Sequence, residues 1–327
     1  MGKRNKQPQM SKIIGGFAKK RVLLVGDLIL DIYVYGTAIG KSLETPTIVA
    51  RETSEKISFG GASLVARNLA ELGARVDFVS VIGKDEEAKH YDSFSHARIK
   101  NFFVADKSRR TTVKKRFWID SYKLLQVDNL DNRDIDEKTA AQVIGHVEKN
   151  IGESDVVIVS DYRHGLLTKK IIEEIKKLAK DNGKKLVVDS QISHRESAHH
   201  LYRDSYLVLL SEKEAKYLDE KFSPTQSASS FLGLKKILGN SNICVKLGEN
   251  GSIALIDGKC ILTSAINVEP KDTCGAGDAF IASLSLAGLE APHESLQIAN
   301  AWAGLSTTIH GTEPPKKEDL LRYTKGM

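Results

Sequence analysis

Six short, uninterrupted apolar runs constrain the fold of this chain more than any other feature. They are residues 21–26 (RVLLVG), 76–82 (VDFVSVI), 156–160 (VVIVS), 185–189 (KLVVD), 206–210 (YLVLL) and 243–247 (ICVKL). A strand with one face in water alternates apolar and polar residues, whereas a continuous run needs cover on both faces. Helical patterns lie between the runs: 62–72 stops at Gly73, and 169–181 stops before Gly183. Glycine leaves the helical region at little cost, so it marks helix ends. Strand–helix alternation of this kind predicts a mostly parallel sheet between two helical layers, a three-layer α/β sandwich.

Two stretches break the rhythm. Residues 33–59 contain Thr45-Pro46-Thr47-Ile48-Val49-Ala50 and no helical period. Residues 111–128 (TTVKKRFWIDSYKLLQVD) are rich in β-branched and aromatic residues around a polar Asp120-Ser121 centre. Both read as antiparallel strands outside the main sheet, forming a small β lid from roughly 33–59 and 107–127. A lid with free edges and one apolar face is expected to pair with a second lid, giving a homodimer.

The 327 residues suffice for a large core without disulfide or metal staples. Net charge is +6, but acids lie among the lysines, as at Glu173 and Glu174 between Lys169-Lys170 and Lys176-Lys177. That pattern describes a solvated helix face and argues against a nucleic-acid partner. Only Lys3, Arg4, Lys6 and Lys12 cluster without acids, in an N-terminal tail (1–19) expected to be disordered. Cys244, Cys260 and Cys274 fit no metal-ligand spacing and read as reduced thiols. His194, His199 and His200 likewise fit no metal site and read as surface residues. No apolar run approaches the length of a membrane span, and no apolar segment follows the basic N-terminus as in a secretory signal. A cytoplasmic protein with no membrane partner is therefore expected.

The strongest chemical signal is Asp272-Thr273-Cys274-Gly275-Ala276-Gly277-Asp278-Ala279-Phe280, which opens an apolar helical run. Small residues let backbone amides converge at a helix N-terminus, where orphan N–H groups and the helix dipole hold an anion. Asp278 then stands where a carboxylate can take a proton from a hydroxyl beside that anion, the two parts that phosphoryl transfer needs. The helix dipole is expected to keep Asp278 ionised at neutral pH. An N-capped helix after a glycine turn is the plainer alternative for GAGD alone. Asp27 and Asp31, four residues apart at a strand end, read either as ligands for substrate hydroxyls or as turn formers. Lys114 and Arg116 read equally as an anion clamp or as a solvated strand face.

The nine-residue string resembles the DTxGAGD signature of the ribokinase, or PfkB, family of sugar kinases. Phe59-Gly60-Gly61-Ala62, opening a helix that contains Asn68, resembles that family's other glycine motif. Gly26-Asp27 through Asp31 resembles its first strand and sugar-binding aspartate. Lys246 to Gly251 resembles its strand and turn before the nucleotide, and Asn300 its helix beside the adenine. The resemblance covers about 20–325 and implies a ribokinase-like kinase domain. Within the family the chain is most similar to the heptose 7-phosphate kinase branch (D-glycero-β-D-manno-heptose 7-phosphate). The similarity lies in Asp31-Ile32-Tyr33-Val34-Tyr35-Gly36, Ser42-Leu43-Glu44-Thr45-Pro46, the Thr111, Lys114, Arg116, Asp128 series and Ser160-Asp161-Tyr162-Arg163-His164-Gly165.

The resemblance implies ATP and Mg²⁺ as cofactors and a sugar or sugar phosphate as substrate. It implies Asp278 as base with Gly275, Ala276 and Gly277 as the anion hole. Asp27, Asp31, Gly60, Gly61, Asn68, Lys114, Arg116 and Asp161 would contact the sugar. Lys246, Gly248, Gly251 and Asn300 would contact the nucleotide, and Glu212 would support the metal through water. The chain departs from the pattern at Leu64, His164, Gln191 and Leu209, where the branch or family carries Asn, Lys, Lys and Asn. Another sugar or nucleoside as substrate, or a weakly catalytic sugar sensor, therefore stands beside the heptose reading. No cytidylyltransferase-type segment follows residue 325, so the single-domain form is the one expected.

Overall fold

Burial on both sides organises the central sheet. The computed structural model describes residues 6–192 and 197–326. Lys3, Arg4 and His194, singled out in the sequence, lie outside them. The first half runs α1 (Lys6–Gly16), β1 (Arg21–Gly26), β2 (Leu28–Lys41), β3 (Ile48–Gly61), α2 (Ala62–Glu71), β4 (Arg75–Gly83), β5 (Ile99–Asp106), β6 (Val113–Ile119), β7 (Tyr122–Asn129) and α3 (Glu137–Ile151). The second half runs β8 (Val156–Asp161), α4 (Lys169–Asp181), β9 (Lys185–Ser190), β10 (Leu207–Ser211), α5 (Glu212–Leu218), α6 (Leu232–Leu238), β11 (Asn242–Lys246), β12 (Ser252–Ile256), β13 (Lys259–Thr263), α7 (Ala276–Ala287), α8 (Pro292–Ser306) and α9 (Lys317–Gly326).

Nine strands form the main sheet in the order β13-β12-β11-β10-β9-β8-β1-β4-β5, with every pairing parallel except the two that β12 makes with β11 and β13. The continuous apolar runs are its buried strands, as the sequence predicts. In β1, Val22 and Leu24 pack into the core shared with α1, α2, α7, α8 and α9, while Leu23 and Val25 pack into the core shared with α3 to α6. A strand placed so has no polar face to show, which is why RVLLVG does not alternate. The three-layer α/β sandwich is thus the observed architecture. No helix among the described residues is long and apolar enough to cross a membrane.

The lid is a separate four-stranded sheet in the order β3-β2-β6-β7. Its outer pairings, β2 with β3 and β6 with β7, are antiparallel, as expected. Its central pairing, β2 with β6, is parallel. Two hairpins from distant parts of the chain therefore meet side by side. Asp120 and Ser121 turn the second hairpin with φ of 48° and 68°, the left-handed pair that a two-residue hairpin requires. Leu43, Tyr122, Leu125 and Val127 stand exposed on the lid.

The N-terminal segment departs from the expectation of a disordered tail. From Lys6 onward it forms α1 and a short 3₁₀ turn, and Met10, Ile14 and Phe17 are buried against the α8 and α9 side of the core. Spacings of four and three place these three side chains on one helical face. The surrounding Gln, Gly and Lys residues hid that stripe.

Candidate active site

The carboxyl ends of the parallel strands converge on one edge, where open α/β sheets bind ligands. Gly26 closes β1, and its lack of a side chain is required. A Cβ there would stand 2.4 Å from the Ser160 carbonyl oxygen and 2.8 Å from the Ala62 Cβ. Helix α7 points its N-terminus at this edge. Gly275, its N-cap, sits at φ 85°, and a Cβ on it would meet the Leu64 Cδ2 at 2.4 Å. First-turn amides of a helix have no acceptor within the helix. Gly277 and Asp278 are such residues here, while the Ala276 N–H donates to the Thr273 carbonyl at 3.3 Å.

Asp278 lies in that first turn and is buried. The Tyr162 hydroxyl donates to its Oδ1 at 2.6 Å. Its other oxygen, Oδ2, faces the glycine turn, 3.9 Å from where a Cβ on Gly275 would stand. Burial pushes the Asp278 carboxyl up to about 7, opposed by the Tyr162 hydrogen bond and reinforced by Asp189. The sequence expectation that the helix dipole keeps it fully ionised at neutral pH is corrected accordingly. Desolvation of a buried carboxylate outweighs the partial charge of one helix end.

A cavity of about 1040 Å³ opens beside this turn, lined by Lys246, Gly248, Gly251, Gly275 to Asp278 and Asn300. These residues, placed together in sequence reasoning, are together in space. Lys246 donates to the Asp189 Oδ2 at 2.6 Å. Burial alone would lower the Lys246 ammonium, but Asp189 and Glu214 outweigh it and raise its proton affinity. Gly251 turns at φ 88°, with the Thr263 carbonyl oxygen 2.1 Å from a hypothetical Cβ. Asn300 Nδ2 donates to the Thr263 Oγ1 at 2.8 Å and the Ser252 Oγ at 3.0 Å.

Glu212 is not brought to this cavity. Its carboxylate pairs with Lys216 one turn along α5 at 2.5 Å. The α5 glutamate that lines the cavity is Glu214, buried and holding a reciprocal cap with Ser211. The two glutamates are two residues apart on a helix, so they point to different sides. Gln191 lines the cavity, whereas Leu209 is buried in the sheet core.

On the lid side, Asp31 of β2 and Arg116 of β6 form a buried ion pair through Oδ1 and the guanidinium. Burial raises the Asp31 carboxyl, and Arg116 opposes that rise. The bare backbone of Gly60 leaves room for the Asp31 carboxylate, whose Oδ2 lies 2.1 Å from a hypothetical Cβ. Arg116 also lies over the Tyr33 ring at 5.4 Å, and Lys114 over the Tyr162 ring at 5.9 Å. Neither is therefore a plain solvated strand face. Cys274 of the glycine turn feels both Arg116 and Asp31, which joins the lid cluster to the α7 N-terminus.

Three expected sugar contacts have partners within the fold. Asp27 accepts from the backbone N–H of Tyr162 at 2.9 Å and of His164 at 3.3 Å, anchoring the loop after β8. Asp161 accepts from the Ser190 and Tyr202 hydroxyls at 2.8 and 2.9 Å. Asn68 accepts from the Trp302 indole at 2.8 Å and donates to the Leu64 carbonyl at 2.9 Å, tying α2 to α8. Gly61, at φ 57°, is the N-cap of α2. His199, expected at the surface, is buried with its Nδ1 2.8 Å from the Ser197 Oγ. Burial pushes His164 down to about 4, so it is neutral. Among the described residues no group of three His, Cys, Asp or Glu side chains could hold a metal by itself. Tyr162, Asp189 and Glu214 stand at the cavity; sequence reasoning missed the first two because their partners, Asp278 and Lys246, are remote in the chain, and Glu214 because its place depends on how α5 is rotated.

A family model described as pfkB family carbohydrate kinase matches residues 19–319. The bifunctional protein HldE of Aliarcobacter butzleri (strain RM4018) is 30% identical over 317 residues, covering 94% of this chain and 65% of that protein. The HldE of Caulobacter vibrioides (strain ATCC 19089 / CIP 103742 / CB 15) is 31% identical over 305 residues, covering 91% and 62%. The chain thus spans less than two thirds of the length of these relatives. Among solved structures, ribokinase of Arabidopsis thaliana complexed with ribose and ATP superposes with a TM-score of 0.70 at 21% identity, covering 94% of this chain and 99% of that one. Phosphofructokinase-2 from Escherichia coli in complex with fructose-6-phosphate gives 0.74 at 18%, with the same coverage. Both likenesses bear on the fold, which is ribokinase-like.

Proposed function

This chain belongs to the pfkB family of carbohydrate kinases, and on that premise we propose that it transfers the γ-phosphate of ATP to the anomeric hydroxyl of a heptose 7-phosphate. ATP-dependent phosphorylation of a carbohydrate follows from the family. The heptose rests on the resemblance of the lid and β8 segments to that branch and on the likeness to HldE proteins. We take 20–325 as the kinase domain, with the two hairpins β2–β3 and β6–β7 as its lid.

The single observation that carries the proposal is Asp278 Oδ2 facing the glycine turn of α7 while Oδ1 is held. A sugar hydroxyl is a poor nucleophile until its proton has a place to go. Asp278 takes that proton on Oδ2 as the sugar oxygen bonds to phosphorus and the bond from phosphorus to the ADP oxygen breaks. The first-turn amides of α7 hold the charge on the transferring group. Asp31 and the bare backbone of Gly60 and Gly61 face the sugar, with Lys114 and Arg116 drawing its phosphate. Asp27, Asn68 and Asp161 hold the surrounding backbone. Lys246, Gly248, Gly251 and Asn300 line the nucleotide side. The residues present fit ATP, since the cavity meets a helix N-terminus that binds phosphate. Magnesium, when bound with ATP, supplies charge neutralisation at the phosphates, and Glu214 rather than Glu212 is the buried carboxylate able to orient its water shell. The exposed apolar lid residues support a homodimer through the lid, and three free cysteines support a cytoplasmic setting.

ADP release from Mg·ATP, measured across heptose, hexose and pentose phosphates and nucleosides, tests the proposal. Heptose 7-phosphate is expected to give the highest kcat/KM. A nucleoside or an unphosphorylated sugar as best substrate overturns the heptose assignment. Tight ATP binding with no transfer to any acceptor favours a sensor instead.

A further inference from the structure

We propose that Tyr162 is a positioning residue for Asp278, tying its Oδ1 so that Oδ2 alone is presented to the acceptor hydroxyl. The inference deepens the reading of Asp278 as base and rests on it. Tyr162 stands in the loop after β8, 116 positions before Asp278, and its hydroxyl reaches the carboxylate at 2.6 Å. The ring is held from several sides. The backbone N–H of Tyr162 is fixed by the Asp27 carboxylate at 2.9 Å, His164 stacks at 6.4 Å between centroids, and Lys114 of the lid lies 5.9 Å over the ring. A phenol clamped in this way gives the carboxylate a defined rotation, as a positioned base requires.

The alternative for the carboxylate is visible in its surroundings. Asp278 is faced by Asp189 of β9, Lys246 of β11 and Asp31 of β2, with Cys274 in its own turn. Freed from Tyr162, the carboxylate can rotate, with the Lys246 ammonium, 3.5 Å from where a Cβ on Gly277 would stand, competing for either oxygen. Burial and the Asp278 charge both hold the Tyr162 phenol well above its ordinary range, so it stays a donor at any working pH. Asp27 thereby acquires a part in the same device: it anchors the loop that carries the phenol. Lys114 connects that phenol to the lid.

Tyr162→Phe removes the hydroxyl and keeps the ring, so the test does not depend on repacking. With whichever sugar the wild type phosphorylates, kcat is expected to fall roughly 10- to 100-fold, the scale of a misplaced catalytic group. KM for ATP is expected to stay within about twofold, and the acidic limb of kcat/KM to move to higher pH, because a donor to the carboxylate is lost. In parallel, carbon-13 NMR of aspartate-labelled protein follows the Asp278 carboxyl directly, its resonance identified by its absence in Asp278→Asn. The Tyr162→Phe substitution is expected to raise that titration midpoint whether or not a substrate has been found. An unmoved midpoint and pH limb, even with a lower kcat, would mean that Tyr162 acts only through packing, and the proposal fails. A loss confined to KM for the sugar would make Tyr162 a substrate contact and also overturn it. Wild-type protein that phosphorylates nothing sinks the kinase reading, while the NMR midpoint still decides the Tyr162 contact.

Discussion

Replacing Asp278 with Asn is expected to make the protein more stable while disabling it. The buried carboxyl rises from its ordinary 3.8 to about 7. In the unfolded chain it releases its proton near the ordinary value, whereas the folded protein keeps it until about pH 7. Between those limits the unfolded state binds fewer protons, so stability falls as pH rises, and the whole penalty is present above pH 7. At ~1.4 kcal/mol per tenfold in proton affinity the bound is about 4 kcal/mol. Local relaxation and solvent entry reduce it, and about 2 kcal/mol is the working expectation. Asn does not titrate, and its side-chain oxygen can still accept from Tyr162. Guanidinium unfolding followed by the fluorescence of Trp118 and Trp302 measures the gap. Asp278→Asn should match the wild type near pH 4 and exceed it at pH 8.5, with a rise in Tm of roughly 4 °C. The same variant should lose 10²–10⁴ in kcat, the range for a positioned general base. A gap of equal size at both pH values, or a variant less stable at pH 8.5, would refute the argument that burial raises this carboxyl.

Gly275→Ala should lose roughly 2–4 kcal/mol, combining the left-handed backbone penalty with overpacking against Leu64. Adding Leu64→Ala should relieve the overpacking but not the backbone strain, which a double-mutant cycle in urea would resolve. Arg116→Ala should raise KM for a phosphorylated sugar far more than for its dephosphorylated analogue; equal effects in steady-state assays would reject a phosphate contact. It should also destabilise by about 3–5 kcal/mol, because Asp31 is left buried without its partner. Sedimentation should find a dimer that Leu125→Asp, on the exposed lid, returns to monomer.

The buried parallel strands and the helices they feed were legible because local composition dictates them. Residues 169–181 read as a helix and are α4, and RVLLVG read as a strand and is β1. Strand β5 was not read, since its burial alternates only partly and it forms the sheet edge. Helix α1 was hidden by a polar composition that its three buried side chains override. In the site, glycine turns were readable because their backbone geometry admits few other residues. Asp278 drew notice only as the carboxylate that follows the Gly-Ala-Gly turn. Tyr162 and Asp189 were not, because nothing near them in the chain shows that Asp278 and Lys246 arrive from 116 and 57 positions away. The choice of Glu212 over Glu214 turned on which side of a short helix faces the cavity, a question of rotation that a motif does not settle.

The parallel pairing of β2 with β6 also bears on how the protein is made. Residues 28–61 leave the ribosome as a hairpin whose inner strand lacks its partner until Val113–Ile119 follows. At ~5–20 residues per second the wait is about 3–10 s. Through that interval β2 offers an open strand edge, the template that aggregation uses. Only α2, β4 and β5 are synthesised in between, so no more than three of the nine main-sheet strands, β1, β4 and β5, exist while the lid is still unfinished. Nascent chains paused between residues 61 and 113 are accordingly where chaperone capture should be greatest, and slowing translation across that window should lower the yield of native protein.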